Sequence, residues 1–319
     1  MNQLITLQPQ LVVPSLVANA GERAAYRYVD FFASNIRNPN TRRSYGRAAS
    51  DFLAWCERVG VRSLADVQSL HVATWIEALG HETSPPTVKA RLAAIRHLYD
   101  WLVIGQVVPA NPAASVRGPR HSVKRGKTPV LDPIEARALL DTIDVSTPVG
   151  LRDRAFIALM VFSFARVGAA TSMKVEDAYI QNRRLWVRLS EKGGKQHEMP
   201  CHHTLEEYLH AYIDRTGLAS DPKGPLFRTI GTGTDQLTRT PLPQANAYRM
   251  IQRRAKTAGI ETKIGNHTFR ATGITAYLKN GGVLENAAAM ANHASTRTTQ
   301  LYDRRPDALT LDEVERIRI

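Results

Sequence analysis

The chain has 319 residues, about twice an ordinary domain, with 43% apolar and 22% charged residues, which excludes collagen-like and disordered chains and leaves a soluble two-domain protein as the expectation. Lys plus Arg number 42 against 29 Asp plus Glu, a formal charge of +13, so the implied partner is a polyanion: nucleic acid or an anionic membrane surface. The longest apolar stretch, Ala155 to Ala165, falls well short of the ~20 residues that span a bilayer and reads as a buried helix. The opening MNQLITLQPQLVV has neither a basic segment nor a small-residue cleavage site, so no signal peptide is expected. Cys56 and Cys201 are the only cysteines, which argues against a disulfide framework and suits a reducing, cytoplasmic setting.

Residues 1–20 carry scattered apolar residues without a period and are expected to form a loose arm. From 21 to about 110 the pattern is helical. Tyr45, Ala49, Phe52 and Cys56 share one face of a helix over 41–59 that Gly60 stops, and a second helix is expected from about Asp66 to Leu79. In the third, Ser84 is placed to cap, Pro85 suits the first position, and Val88, Leu92, Ile95, Tyr99 and Leu102 line one face, with Lys89, Arg91, Arg96 and His97 on the others. Residues 111–130 then change character. Pro112, Pro119 and Pro129 break regular structure, and Arg117, Arg120, Lys124, Arg125 and Lys127 follow without an acid among them, as in a basic, extended linker suited to a phosphate backbone. Lys89, Arg91, Arg96 and these five cations are the candidate residues for contact with a polyanion.

A second domain is expected over 131–319. Asp132, Pro133 and Glu135 make a helix-start signature, and an apolar helix follows over 152–165. Short strands are expected at Tyr179–Ile180, Leu185–Leu189 and Gln196–Met199, the last two joined by the Gly193-Gly194 turn, with helix again from about Pro243. Nucleotide-binding and metal-protease signatures are absent, and His197, Cys201, His202 and His203 lack a second ligand pair at zinc spacing.

Four short stretches acquire meaning through their order. Ser163-Phe164-Ala165-Arg166-Val167-Gly168 ends an apolar helix with an arginine, and Glu191-Lys192-Gly193-Gly194-Lys195 puts lysines on a tight turn. His267-Thr268-Phe269-Arg270 sets two proton-carrying or cationic groups on one helix face. Asn292-His293-Ala294 is followed by Tyr302; on one continuous helix these two would lie on opposite faces roughly 13 Å apart, so they converge only if the helix breaks, for which Ser295 offers a cap.

Over residues 25–319 this series resembles the tyrosine recombinase (phage integrase) family of Xer-, Cre- and lambda-type enzymes. The resemblance implies a mainly α fold with a small antiparallel β-sheet: an all-helical core-binding (SAM-like) domain and an α+β tyrosine recombinase catalytic domain. It implies that Arg166, Lys192, His267, Arg270, His293 and Tyr302 are the catalytic set. Tyr302 would attack the phosphodiester to leave a 3′-phosphotyrosyl bond and a free 5′-hydroxyl. Arg166 and Arg270 would clamp the phosphate, Lys192 would protonate the leaving oxygen, His267 would help take the tyrosine proton, and His293 would hydrogen-bond the phosphate. Two departures stand out: Ser163-Phe164-Ala165 replaces the usual Thr-Gly-Leu, and Ala169 stands where the family often has an acid.

The same resemblance implies no cofactor, paired sites on double-stranded DNA as substrate and a homotetramer on that DNA. The tail bearing Leu309, Leu311, Val314 and Ile317 would be exchanged between protomers, and a partner recombinase or accessory protein is compatible with the scheme. Integration, excision and resolution of mobile or circular DNA all fit. A catalytically silent DNA-binding regulator of the same fold, or a type IB topoisomerase-like relaxase, is the alternative.

Overall fold

The computed structural model describes residues 13–123, 126–191 and 194–304, so Lys124, Arg125, Lys192 and the tail lie outside the described residues. The chain divides into two compact units between residues 122 and 123. Among the described residues no helix is long and apolar enough to cross a membrane.

The first unit contains α1 (Ser15–Asn19), α2 (Glu22–Asp30) with a π-helical turn at Phe31–Asn35, α3 (Pro39–Arg58), α4 (Ser69–Glu82) and α5 (Pro85–Ile104). Asn38 caps α3 by accepting from the N–H groups of Asn40 (2.9 Å) and Thr41 (3.2 Å), with Pro39 at the first position. Gly60 ends it at φ +89, letting the Val61 N–H reach back to the Cys56 carbonyl at 3.0 Å. Ser84 caps differently from expectation: its hydroxyl pairs with that of Thr87 at 3.0 Å. Val88, Leu92, Ile95, Tyr99 and Leu102 are each at most 2% exposed and pack with Phe31, Phe52 and Trp75.

Two stretches fold differently from the sequence reading. Residues expected in the loose arm form α1, and Leu16 and Val17 join the core. Residues expected to begin an extended linker close over that core instead. Ala113 and Val116 are buried, and Arg96 donates to the carbonyl oxygens of Ala113 (3.0 Å) and Val116. Asn111 locks this turn by donating to the Arg96 carbonyl (3.0 Å) and to Asp100 Oδ1 (2.7 Å). The carbonyls of 113 and 116 need donors once buried, and the Arg96 fork supplies them.

The second unit runs α6 (Pro133–Asp141), α7 (Pro148–Phe162), α8 (Val167–Ser172), β1 (Ala178–Gln181), β2 (Arg184–Ser190), β3 (Gln196–Pro200), α9 (His203–Thr216), β4 (Arg228–Ile230), β5 (Leu237–Pro241), α10 (Gln244–Thr257), α11 (Asn266–Lys279), α12 (Leu284–Met290) and α13 (Thr296–Gln300). The Asp132–Glu135 signature is a reciprocal cap, with the Glu135 N–H on Asp132 Oδ1 (2.8 Å) and the Asp132 N–H on Glu135 Oε2 (3.0 Å). α7 is apolar nearly all round and forms the centre of the unit, packed by α9 and α11. Strands β1-β2-β3 make one antiparallel sheet, Leu185, Val187 and Leu189 pointing inward, with Val187 opposite Met199 and Leu189 opposite His197.

α7 also carries a buried ionic knot. Asp153, 0% exposed, accepts from Arg152 Nε (3.0 Å) and Nη2 (2.6 Å) on one oxygen and from Arg254 Nε (3.0 Å) and Nη2 (2.7 Å) on the other. Arg152 also donates to the Arg228 carbonyl at 2.9 Å, so the knot joins α7, α10 and β4. Asp153→Ala strands the buried Arg152 charge and is expected to cost about 3–5 kcal/mol in urea unfolding, whereas a cost below about 1 kcal/mol would contradict this account.

Candidate active site

The expected apolar helix to residue 165 stops at Phe162 because Phe164 adopts φ +52. That left-handed conformation costs about 1–3 kcal/mol for a non-glycine residue. Burial of the Phe164 ring against Ile274, Leu278, Ala287 and Ala291 offsets it. The kink turns the Phe164 carbonyl toward α11 and restarts the chain so that Arg166 is the N-cap of α8.

Arg270 receives that carbonyl. It is 1% exposed, and its guanidinium donates to the Phe164 carbonyl, to the Ala291 carbonyl at 2.5 Å and to His293 Nε2 at 2.7 Å. Burial, and then the nearby Arg166 charge, lower its pKa to about 10; the Tyr302 phenol and Glu191 oppose the fall, and Arg270 stays cationic at neutral pH. Two features bring the acceptors within reach. A Cβ at Gly273 would collide with the Val161 carbonyl oxygen, so glycine lets α11 lie close against the end of α7. Asn292 takes φ +46, a conformation Asn tolerates well, and turns the chain after α12 so that both Ala291 and His293 face Arg270.

His293 and Tyr302 converge as the break at Ser295 requires. Ser295 caps α13 by accepting from the Arg297 N–H at 3.2 Å. The two rings then stack at 5.8 Å between centroids with 12° between planes. The Tyr302 carbonyl accepts from Thr275 Oγ1 at 2.7 Å, which fastens this segment to α11. His293 Nδ1 lies 2.8 Å from Thr299 Oγ1. Both His293 ring nitrogens therefore have a partner within the protein.

The remaining site residues surround this group. Arg166, its side chain 34% exposed, forms an ion pair through Nη1 with the buried carboxylate of Glu191. Glu191 was not singled out from sequence, although an acid opening an otherwise basic turn was the available signal; Ala169, where an acid was expected, is a buried apolar residue of α8. Glu191 also starts the β2–β3 turn, where its N–H bonds the Lys195 carbonyl at 2.7 Å. Lys192 belongs to the same turn in sequence but lies outside the described residues. His267 stands one turn before Arg270 on α11 and is exposed overall, yet loss of water around its ring, followed by the Arg270 and Arg166 charges, lowers its pKa.

Of the histidines beside β3, His202 serves packing and capping. His202 stacks on Phe162 at 4.4 Å and caps α9 by accepting from the Thr204 N–H at 3.2 Å, while burial pushes the Cys201 thiol up to about 12. Among the described residues no group of three or more His, Cys, Asp or Glu gathers as metal ligands would. The candidate DNA-contacting cations divide. Lys89, Arg117, Arg120 and Lys127 are exposed, Arg91 pairs with Asp51 at 2.6 Å, and Arg96 is committed to the carbonyls of 113 and 116.

Comparison with known proteins identifies the family. The model of the phage integrase family matches residues 129–308, and that of the phage integrase N-terminal SAM-like domain matches residues 27–105. Tyrosine recombinase XerD of Corynebacterium glutamicum is 27% identical over 274 residues, covering 82% of this chain and 86% of its own. Among solved structures, XerH bound to palindromic difH substrate in a post-cleavage complex aligns with a TM-score of 0.68 at 16% identity, over 96% of each chain. A lambda integrase tetramer bound to a Holliday junction aligns at 0.65 and 17% identity, over 90% of this chain and 79% of that one. The chain belongs to the phage integrase family and is a tyrosine recombinase, an enzyme of site-specific recombination. The silent-regulator and relaxase readings are not favoured by these matches.

A pH dependence of stability follows from the site. Burial first, then the arginine charges, lower His293 to about 4, and burial likewise lowers His197, His202 and His267 from 6.5. Between those values the unfolded chain binds protons that the folded one refuses, so stability is greatest above about pH 6.5 and falls as the pH drops toward about 4. Calorimetry is expected to give a lower Tm at about pH 5 than at about pH 7.5, and an unchanged or higher Tm at the acid pH would contradict the assignment.

Proposed function

We propose that this enzyme cuts and rejoins DNA strands at paired recombination sites through a 3′-phosphotyrosyl intermediate, with Tyr302 as nucleophile. The observation that carries the reading is the stacking of Tyr302 on His293 beside the buried Arg270, from residues on separate elements. Breaking a phosphodiester needs an oxygen nucleophile, donors for the charge on the phosphoryl oxygens and a proton for the leaving oxygen. The Tyr302 oxygen forms the new O–P bond as the bond to the 5′-oxygen breaks. Arg166 and Arg270 hold the non-bridging oxygens, a planar two-pronged task for which lysine is a poor substitute. His267, neutral because its pKa is lowered, helps accept the Tyr302 proton, and Lys192 delivers one to the 5′-oxygen.

Religation is the same step reversed with a different 5′-hydroxyl, so the bond energy is retained in the phosphotyrosine and no cofactor enters the scheme. The reading extends to four copies acting on two sites, with the segment after residue 304 exchanged between protomers. The lambda integrase tetramer on a Holliday junction supports that extension by likeness of fold.

The test is covalent trapping. A nicked suicide substrate from the flanks of the gene, incubated in EDTA and run on a denaturing gel, is expected to give a protein–DNA adduct with the wild type and none with Tyr302→Phe. An adduct formed by Tyr302→Phe, or none by the wild type on DNA that it binds, overturns the reading. The DNA-contacting set divides in the same way as the structure. Arg120→Ala or Lys89→Ala is expected to reduce the slope of log affinity against log salt by about 1. Arg96→Ala is expected to lower the stability of the first unit and leave that slope unchanged, as read by salt-titrated binding alongside thermal melts.

A further inference from the structure

The residue before Tyr302 is held by a piece of chain that carries no catalytic group. The Leu301 carbonyl accepts twice, from the Gly126 N–H at 2.8 Å and from Arg304 Nη1 at 2.9 Å. Arg304 Nη2 donates in turn to the carbonyls of Gly126 at 2.5 Å and Thr128 at 3.2 Å. Residues 126–128, the end of the basic stretch, therefore form a strap against the Tyr302 segment, and both pieces belong to the second unit. A Cβ at Gly126 would collide with the Leu301 carbonyl oxygen, so the strap lies this close only with glycine there. One guanidinium then clips it to the turn that carries Tyr302.

We propose that Gly126 and Arg304 are positioning residues for strand cleavage: together they fasten the strap to the Leu301 carbonyl and so set where the Tyr302 oxygen stands relative to the phosphate. The inference rests on the reading of Tyr302 as the nucleophile. Attack on phosphorus needs alignment, and a displacement of about 1 Å costs on the order of a hundredfold in rate. The Thr275 hydroxyl (2.7 Å) and the Thr299 carbonyl (2.9 Å) already fasten Tyr302 to α11 and α13. The strap adds a restraint from the other end of the unit's sequence, where Lys127, between the two clipped carbonyls, is exposed. Arg304 works here by its fork, two nitrogens on three oxygens, and not by its charge, which separates this role from a contact with a DNA phosphate.

Arg304→Lys keeps the charge and removes the fork; Gly126→Ala pushes on the Leu301 oxygen from the other side. Single-turnover cleavage of a suicide substrate is read at saturating protein, with affinity measured separately. Both variants are expected to cleave about ten- to a hundredfold more slowly, with affinity within about twofold of the wild type. Because both act through one contact, the double variant is expected to be no slower than the slower single one. Arg304→Lys cleaving at the wild-type rate, a loss confined to affinity, or single losses that multiply in the double variant overturns the proposal. Hydrogen exchange on the full-length protein without DNA reads the strap itself. The Gly126 amide is expected to be protected in the wild type and to exchange about tenfold faster or more in Arg304→Lys. A wild-type Gly126 amide that exchanges at the rate of an unstructured chain overturns the proposal whatever the cleavage assay gives. Should Gly126→Ala not fold, Arg304→Lys and the exchange still decide it. Failure of the Tyr302 reading shows separately, as a wild type that forms no adduct while its Gly126 amide stays protected.

Discussion

A guanidinium withdrawn from water must find acceptors for its N–H groups, and Arg270 imposes that demand on everything around it. Two of its acceptors are main-chain carbonyls at places where the chain abandons regular helix: Phe164 after α7 and Ala291 after α12. Both turns involve positive φ at non-glycine residues, Phe164 itself and Asn292, and the missing side chain at Gly273 lets α11 approach α7 closely. The third contact is the His293 imidazole, whose other ring nitrogen meets Thr299. The backbone irregularities of the second unit are thus the means by which one buried charge is satisfied, and they carry Arg166 and Tyr302 into place beside it.

Much of this was legible in the residues. The faces of α3 and α5, the reciprocal cap at Asp132 and Glu135, and the break at Ser295 follow from periodicity and capping chemistry that act within one or two helical turns. The elements that were not anticipated lack such local marks. β4 is three residues long, and α1 is a single short helix held by burial of Leu16 and Val17 in a core assembled from distant sequence. The stop of α7 at Phe162 was hidden because Ser163-Phe164-Ala165 continues the apolar run; what ends the helix is a partner on α11 more than a hundred residues away. Charge count misassigned Arg96 for the same reason, since its partners become carbonyls only once the chain has folded back over it.

Acid placement shows the same contrast between local pattern and assembled site. An acid beside the first arginine in sequence is replaced by the buried Ala169, while the carboxylate that meets Arg166 comes from Glu191 across the fold. Among the described residues Glu191 meets a single Arg166 nitrogen, Nη1, and the Arg166 side chain is 34% exposed. Arg166 and Arg270 therefore differ in kind: one is held at a single point at the rim, the other is fixed on three sides inside the unit.

The turn at 111–116 bears on how such enzymes can be recombined with one another. Because Arg96 binds the carbonyls of 113 and 116, and Asn111 binds back to α5, the helical unit is not closed where its last helix ends at Ile104. A chimaera cut there would inherit an arginine without acceptors on one side and an orphaned lid on the other. The seam that respects the folded unit lies beyond Val116, in the exposed basic stretch around Arg117 and Arg120. Retargeting by module exchange has to move the lid together with the helices it seals.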